Sequence, residues 1–194
     1  MKKTIFLITI TLLFLITGCN NEEDVEYTIF DVQGRYEMVD SVTIRHEFIN
    51  VLSNEIFDQY TLKVDGNKVQ EIVGDQTVFA LVYDNGTYLY RIGNFGYFEE
   101  LIFQKLYLTP EEYMPQFQAI NFTKNDDIYS YVFQDSTAVQ TYTIKLNEDG
   151  FIILYQKQVI EFWDESKTDI KSNLIDSFTY SDYNKTDVEI PEVD

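Results

Sequence analysis

The sequence predicts a mainly β domain, an antiparallel meandering sheet with one or two short helices, behind a short secretory leader. Three observations predict it. Asp-Gly and Asn-Gly dipeptides sit between β-rich flanks, runs rich in Val, Ile, Thr, Tyr and Phe recur at a regular spacing, and a clear helix start is found at one place. The 194 residues include 33 acidic against 14 basic side chains, for a formal net charge of −19. Phosphate backbones repel such a chain, so a nucleic-acid partner is not expected. With one Cys and one His, neither an internal disulfide nor a thiolate zinc cluster can form, and no metal or cofactor is expected.

The leader comes first. Lys2 and Lys3 precede an uncharged apolar stretch from Thr4 to Ile16, shorter than the roughly 20 residues a spanning helix needs. Ile16-Thr17-Gly18-Cys19 then resembles a bacterial lipobox. That resemblance implies that residues 1–18 are a lipoprotein signal peptide, that Cys19 receives diacylglycerol and palmitate, and that the mature chain is extracytoplasmic, anchored to a cell membrane or outer membrane. Acyl chains contribute about 0.8 kcal/mol per buried CH₂, so the anchor needs no basic patch. The segment 19–26 reads as lipidated Cys plus acidic tether, and 27–194 as a single β-rich domain.

Within that domain, strands are expected near 35–50, 55–64, 67–73, 77–84, 87–92, 97–108, 127–134, 138–146, 151–163 and 173–182. Hairpins are expected at 63–69, 82–88 and 145–152, around Asp65-Gly66, Asn85-Gly86 and Asp149-Gly150, because type I′ turns need positive φ at both central residues. Thr109-Pro110-Glu111-Glu112 has a capping residue, a proline suited to the first helical position and a capping-box Glu, so a short helix is expected over 109–114, stopped by Pro115. Residues 22–33 space Val25, Ile29 and Val32 for one helical face, although Thr28-Ile29-Phe30 suits a strand equally.

Alternation assigns faces. Val42, Ile44, His46 and Phe48 oppose Thr43, Arg45 and Glu47, as in a sheet with one wet face. Residues 77–83 instead place Phe79, Leu81 and Tyr83 opposite Val78, Ala80 and Val82, and 151–163 place Phe151, Ile153 and Tyr155 opposite Ile152, Leu154 and Phe162. Something has to cover the second apolar face: closure of the sheet, a lid of loops, or a bound apolar molecule. The candidate ligand-lining residues are Phe79, Leu81, Tyr83, Tyr88, Tyr90, Phe151, Ile153 and Tyr155, and a dry core would use the same rings.

The turn segments Tyr60 to Val69 and Tyr83 to Tyr88, with the closing Phe178 to Asn184 and Val188 to Glu192, resemble LolA/LppX-like bacterial lipoproteins. That resemblance implies a β half-barrel, unclosed, with short helices in its mouth, in a family several of whose members carry lipids or acyl chains. Val32-Gln33-Gly34-Arg35-Tyr36 resembles the entry to the first strand of lipocalin-like lipoproteins, which implies a closed barrel instead. Both imply a lipid-sized apolar interior and no catalysis.

Candidates for chemistry are few. His46 would serve any nucleophile–His–acid arrangement, but no Gly-x-Ser-x-Gly elbow accompanies it, and a satisfied half-buried histidine accounts for it. Glu99-Glu100, Glu111-Glu112 and Asp126-Asp127 are adjacent pairs, which on a strand point to opposite faces and suit solvated loops and caps. Asn125-Asp126-Asp127 and Asn147-Glu148-Asp149 carry oxygen ligands of the type calcium takes, without EF-hand spacing. The expected function is therefore non-enzymatic: a lipoprotein that binds or carries a lipid or acyl chain. The alternative is an envelope protein-interaction module with a solid core, an acidic surface and an exposed aromatic patch drawn from Tyr88, Tyr90, Tyr129, Tyr131 and Tyr183.

Overall fold

The computed structural model describes residues 29–84, 87–92, 97–101, 110–115 and 122–188, with side chains left out at 29, 30, 79 and 81–101. The leader, Cys19 and the tether lie outside the described residues. A short helix α1 (Ile29–Gly34) and a 3-10 turn (Tyr36–Met38) lead into β1 (Ser41–Asn50), β2 (Glu55–Asp65), β3 (Lys68–Val73), β4 (Gln76–Asp84), β5 (Thr87–Ile92) and β6 (Tyr97–Leu101). A second 3-10 turn (Pro110–Tyr113) precedes β7 (Thr123–Asn125), β8 (Ile128–Gln134), β9 (Ala138–Leu146), β10 (Ile152–Phe162) and β11 (Ile170–Ser181). Among the described residues no helix is long and apolar enough to cross a membrane.

The strands form one antiparallel sheet in the order β6-β5-β4-β3-β2-β1-β11-β10-β9-β8-β7. Two meanders, β1 to β6 and β7 to β11, are thus joined where the first strand pairs with the last. The sheet is curved and open, with β6 and β7 as its edges, so it is a half-barrel and not the closed barrel of the lipocalin resemblance. Short β7 and the Glu99-Glu100 pair on β6 leave edges that template further pairing poorly.

The hairpin rhythm is as expected, with local corrections. Residues 35–40 do not extend β1: a 3-10 turn forms instead, with Val39 donating to the Tyr36 carbonyl at 3.0 Å, because Tyr36 and Val39 are buried against the sheet. The β2–β3 turn is centred on Gly66-Asn67, since Asp65 pairs with Lys68, and Gly66 takes φ +55° as the first central residue. After β9, Asn147 to Phe151 form a longer loop in which Gly150 adopts φ +79° and the Asn147 side chain accepts from the Phe151 amide at 2.9 Å. Asn125 to Ile128 closes the unexpected hairpin of β7 with β8, with Asp126 at φ +54°. Residues 102–108 of the expected sixth strand lie outside the described residues.

The core lies at one end of the concave face. Val42 and Ile44 of β1, Val64 of β2, Val69 of β3, Tyr129 of β8, Ile144 and Leu146 of β9, Ile152 of β10 and Tyr180 of β11 enclose Val32, Tyr36 and Val39 from the N-terminal turns and Met114 from the second 3-10 turn. In a flat sheet, β3 and β8 would stand about 29 Å apart at the usual strand spacing; curvature round the helical plug lets them share one cluster. Polar contacts seat the plug. Tyr36 donates its hydroxyl to the Pro115 carbonyl (2.9 Å), and Arg35 donates to the Asp149 carbonyl (2.7 Å) while lying over the Phe151 ring. The tail after β11 latches the same end: Asn184 accepts from the Asp40 amide at 2.7 Å and donates to the Met38 carbonyl at 3.2 Å, and the Thr186 amide donates to Ser41 Oγ at 3.0 Å.

The opposite end has no such plug among the described residues. Of the eleven large apolar side chains exposed among the described residues, nine sit at this end: Val51, Leu52, Ile56 and Phe57 around the β1–β2 hairpin, Val73 before the β3–β4 turn, Val132 and Phe133 before the β8–β9 turn, and Trp163 and Ile170 around the β10–β11 turn. Trp163 is the most exposed of them, at 69%.

Candidate functional site

Beyond the plug, the concave face continues as an open trough. Alternation carries the inward face of β1 from Ile44 through His46 to Phe48, and cross-strand pairing sets His46 against Phe178 and Tyr60, and Phe48 against Asp176 and Asp58. On the far side Tyr155 faces Phe178, Lys157 faces Asp176 and Tyr142, and Val159 faces Leu174. Phe48, Tyr60, Tyr142, Tyr155, Leu174 and Phe178 are all half-buried. Ring contacts run from Tyr155 to Phe178 with centroids 6.2 Å apart, and from Phe48 to Phe57 at the hairpin with centroids 5.5 Å apart.

His46 sits at the floor of the trough, buried with 8% exposure. The rings of Tyr60 and Phe178 hold it from either side, each with its centroid 4.6 Å away. Its Nε2 donates to Asp176 Oδ1 at 2.7 Å. The other ring nitrogen, Nδ1, is buried and makes no hydrogen bond; it faces Asp58 Oδ2 at 3.7 Å, beyond hydrogen-bond range. His46 is thus buried and only half satisfied, where a satisfied half-buried histidine was expected. Among the described residues no serine or cysteine hydrogen-bonds the ring.

The tyrosines of the floor and of the plug hold their protons more tightly than free phenols do. Burial first, then the nearby carboxylates of Asp58, Glu71 and Asp176, push the Tyr60 phenol above its ordinary value. Burial, Tyr142 and Asp176 do the same for Tyr155. Burial, helped by Glu112 and Glu71, pushes Tyr113 up to about 12, and burial leads in raising Tyr36, Tyr180 and Tyr183. The native state therefore holds these protons more tightly than the unfolded chain does. The associated stability is complete below the unfolded phenol value of about 10 and is lost as pH rises beyond it. An alkaline titration should show exposed tyrosines ionising first, then a cooperative rise in phenolate absorbance coincident with loss of the β circular-dichroism signal; smooth ionisation with that signal intact would contradict the burial of these rings.

Of the ligand-lining residues expected from the sequence, the three whose side chains are described, Phe151, Ile153 and Tyr155, do not share one surface. A register shift between Ile152 and Leu154 resets the alternation of β10, so Ile152 and Tyr155 both turn to the concave side. Of the trio Phe151, Ile153 and Tyr155, Tyr155 belongs to the trough, Phe151 stacks on Tyr183 at 4.8 Å beside the plug, and Ile153 lines a separate depression. The backbones of Phe79, Leu81, Tyr83, Tyr88 and Tyr90 pair in β4 and β5, but their side chains lie outside the described residues. Among the expected exposed tyrosines, Tyr129 is buried, Tyr183 donates its hydroxyl to the Ile152 carbonyl, and Tyr131 packs between Phe122 and Tyr142. Among the described residues, most of the exposed large apolar side chains are instead those of the bare hairpin tips.

The separate depression, of about 830 Å³, brings together the two segments with calcium-type ligands, Asp126-Asp127 and Asn147-Glu148-Asp149, with Lys124 and Lys145 between them. Lys145 pairs with Asp127 at 2.9 Å, and its hydrogen bond holds that carboxyl below the usual range. Lysine ammonium thus supplies the positive charge there, and among the described residues no group of three or more His, Cys, Asp or Glu is placed to hold a metal ion. Sequence reasoning missed Asp58 and Asp176 as members of a site, since the His46–Asp176 contact joins residues 130 positions apart. The even spacing of His46 and Phe48 with Ile44 was the one available signal. No model of a known protein family matches the chain, and no curated protein matches it either.

Proposed function

We propose that the protein is a non-catalytic bacterial lipoprotein, tethered outside the cytoplasm through Cys19, that binds an apolar ligand of the lipid or acyl-chain class in the open half of its half-barrel. The observation that carries this reading is the uneven cover of the concave face: the helical plug seals one end, while Phe48, Tyr142, Val159, Leu174 and Phe178 beyond it are only half-buried. An aliphatic chain laid along these residues gains about 25 cal/mol per Å² of apolar surface removed from water, and their half-burial leaves apolar surface for it to cover. Native mass spectrometry of the full chain, released from membranes isolated with its own lipids, is expected to show a stoichiometric adduct that solvent extraction removes. A bare mass, with no uptake of added fatty acid, fatty alcohol or phospholipid, would reject the carrier reading.

One observation favours a second reading, an envelope protein-interaction module. The nine exposed apolar side chains at the bare end, Trp163 foremost, form the kind of surface that protein partners cover. Crosslinking in intact cells separates the two: a partner captured at Trp163 or Phe57 with the trough free of lipid favours the module.

A further inference from the structure

We propose that His46, Asp58 and Asp176 form a receptor for the head of a cationic amphiphile, a primary ammonium on an apolar stem. The inference rests on the trough being an apolar-ligand face and adds which class of ligand it takes. The starting point is the unpaired nitrogen. With the ring clamped between Tyr60 and Phe178 and Nε2 committed to Asp176, the buried Nδ1 cannot turn toward another partner. It looks across 3.7 Å at a carboxylate oxygen of Asp58, too far for a hydrogen bond between them. In the neutral ring Nδ1 is an acceptor facing an acceptor, and a group that satisfies both brings at least two hydrogen-bond donors, one for each. A primary ammonium is such a group, with three donors on one nitrogen.

Charge selects in the same direction. Among the described residues, Asp58 and Asp176 flank the imidazole and outnumber the one cation across from them, Lys157, in a chain of net charge −19, so the floor attracts cations and repels fatty-acid carboxylates. The walls suit the same head. Lys157 already holds its own ammonium over the Tyr142 ring, 5.6 Å from the centroid, and Phe178 and Tyr60 present further aromatic surface beside Asp176 and Asp58. Asp58 and Asp176 remain reachable from solvent, with side-chain exposures of 58% and 41%, whereas the His46 side chain is 10% exposed. The head therefore seats against Asp58 and Asp176 from the solvent side, reaching the buried Nδ1 only as the side chains around it part, and the stem lies along Phe48 and Leu174.

His46 is the only histidine of the chain, so its imidazole nitrogen resonances report on the site without assignment. The full chain in lipid nanodiscs would be titrated with octylammonium, octanol and octanoate against empty nanodiscs. Octylammonium is expected to shift the His46 resonances saturably and to bind about ten-fold or more tighter than octanol, with octanoate weakest. Asp58→Asn is expected to abolish the preference for the ammonium over the alcohol. Equal binding of octylammonium and octanol, or a preference that survives Asp58→Asn, overturns the receptor while leaving the apolar trough standing. Failure of all three probes to bind overturns the receptor together with the carrier reading on which it rests.

Discussion

Ile144→Ala is expected to lower the unfolding free energy by about 2–5 kcal/mol, whereas Trp163→Ala should change it by about 0.5 kcal/mol or less. Ile144 is fully buried on β9, within the cluster that the plug closes, and its truncation leaves a cavity that Tyr129, Tyr155 and Ile152 cannot collapse into without moving paired strands. Trp163 is the larger side chain, yet it stands in water just past the end of β10 and loses little when removed. Urea unfolding followed by circular dichroism gives both values. Comparable losses at the two positions would mean that the bare end is covered in solution and that the core is not confined to the plugged end.

The second large effect falls on ligand uptake. Phe48→Ala combined with Leu174→Ala is expected to weaken binding of a fluorescent fatty alcohol by about 10- to 100-fold, because each truncation removes about 1 kcal/mol of apolar contact from a chain lying on the trough. Both residues are half-buried and lie beyond the plug, on neighbouring strands: Phe48 pairs with Asp176, two residues along β11 from Leu174. Their loss should therefore cost less stability than Ile144→Ala. Equilibrium fluorescence titration, normalised to the folded fraction, checks this; unchanged affinity would place any apolar ligand elsewhere.

Much of the sheet was legible in the sequence because its signals are local. Alternation through Val42, Ile44 and His46 and the Asn85-Gly86 dipeptide act within a few residues, and the pairing of Asp84 with Thr87 follows. The Pro110 turn was legible for the same reason. What escaped depended on distant partners. Nothing near residue 37 says that Tyr36 will donate to the carbonyl of Pro115, 79 positions away, which is what turns the expected strand start into part of the plug. The shift in β10 at Ile152–Leu154 has no sequence marker, yet it decides which of Phe151, Ile153 and Tyr155 reaches the trough. The floor around His46 was half legible: its inward face could be read from β1, but its carboxylate partners come from β2 and β11.

The pairing of first strand with last also sets a timetable for folding. The meander from β1 to β6 can zip hairpin by hairpin as it emerges from its N-terminal end, and β7 to β11 can do the same, but the seam between them joins Thr43 to Ser181. Until nearly the whole chain is available, β1 is an open edge, and the plug has only one side of its enclosure to rest on. The high contact order of that seam makes it the slow step, and the interval before it closes is when the half-built sheet is most exposed to mispairing. Any truncation before β11 should therefore yield an aggregation-prone arm rather than a smaller stable domain.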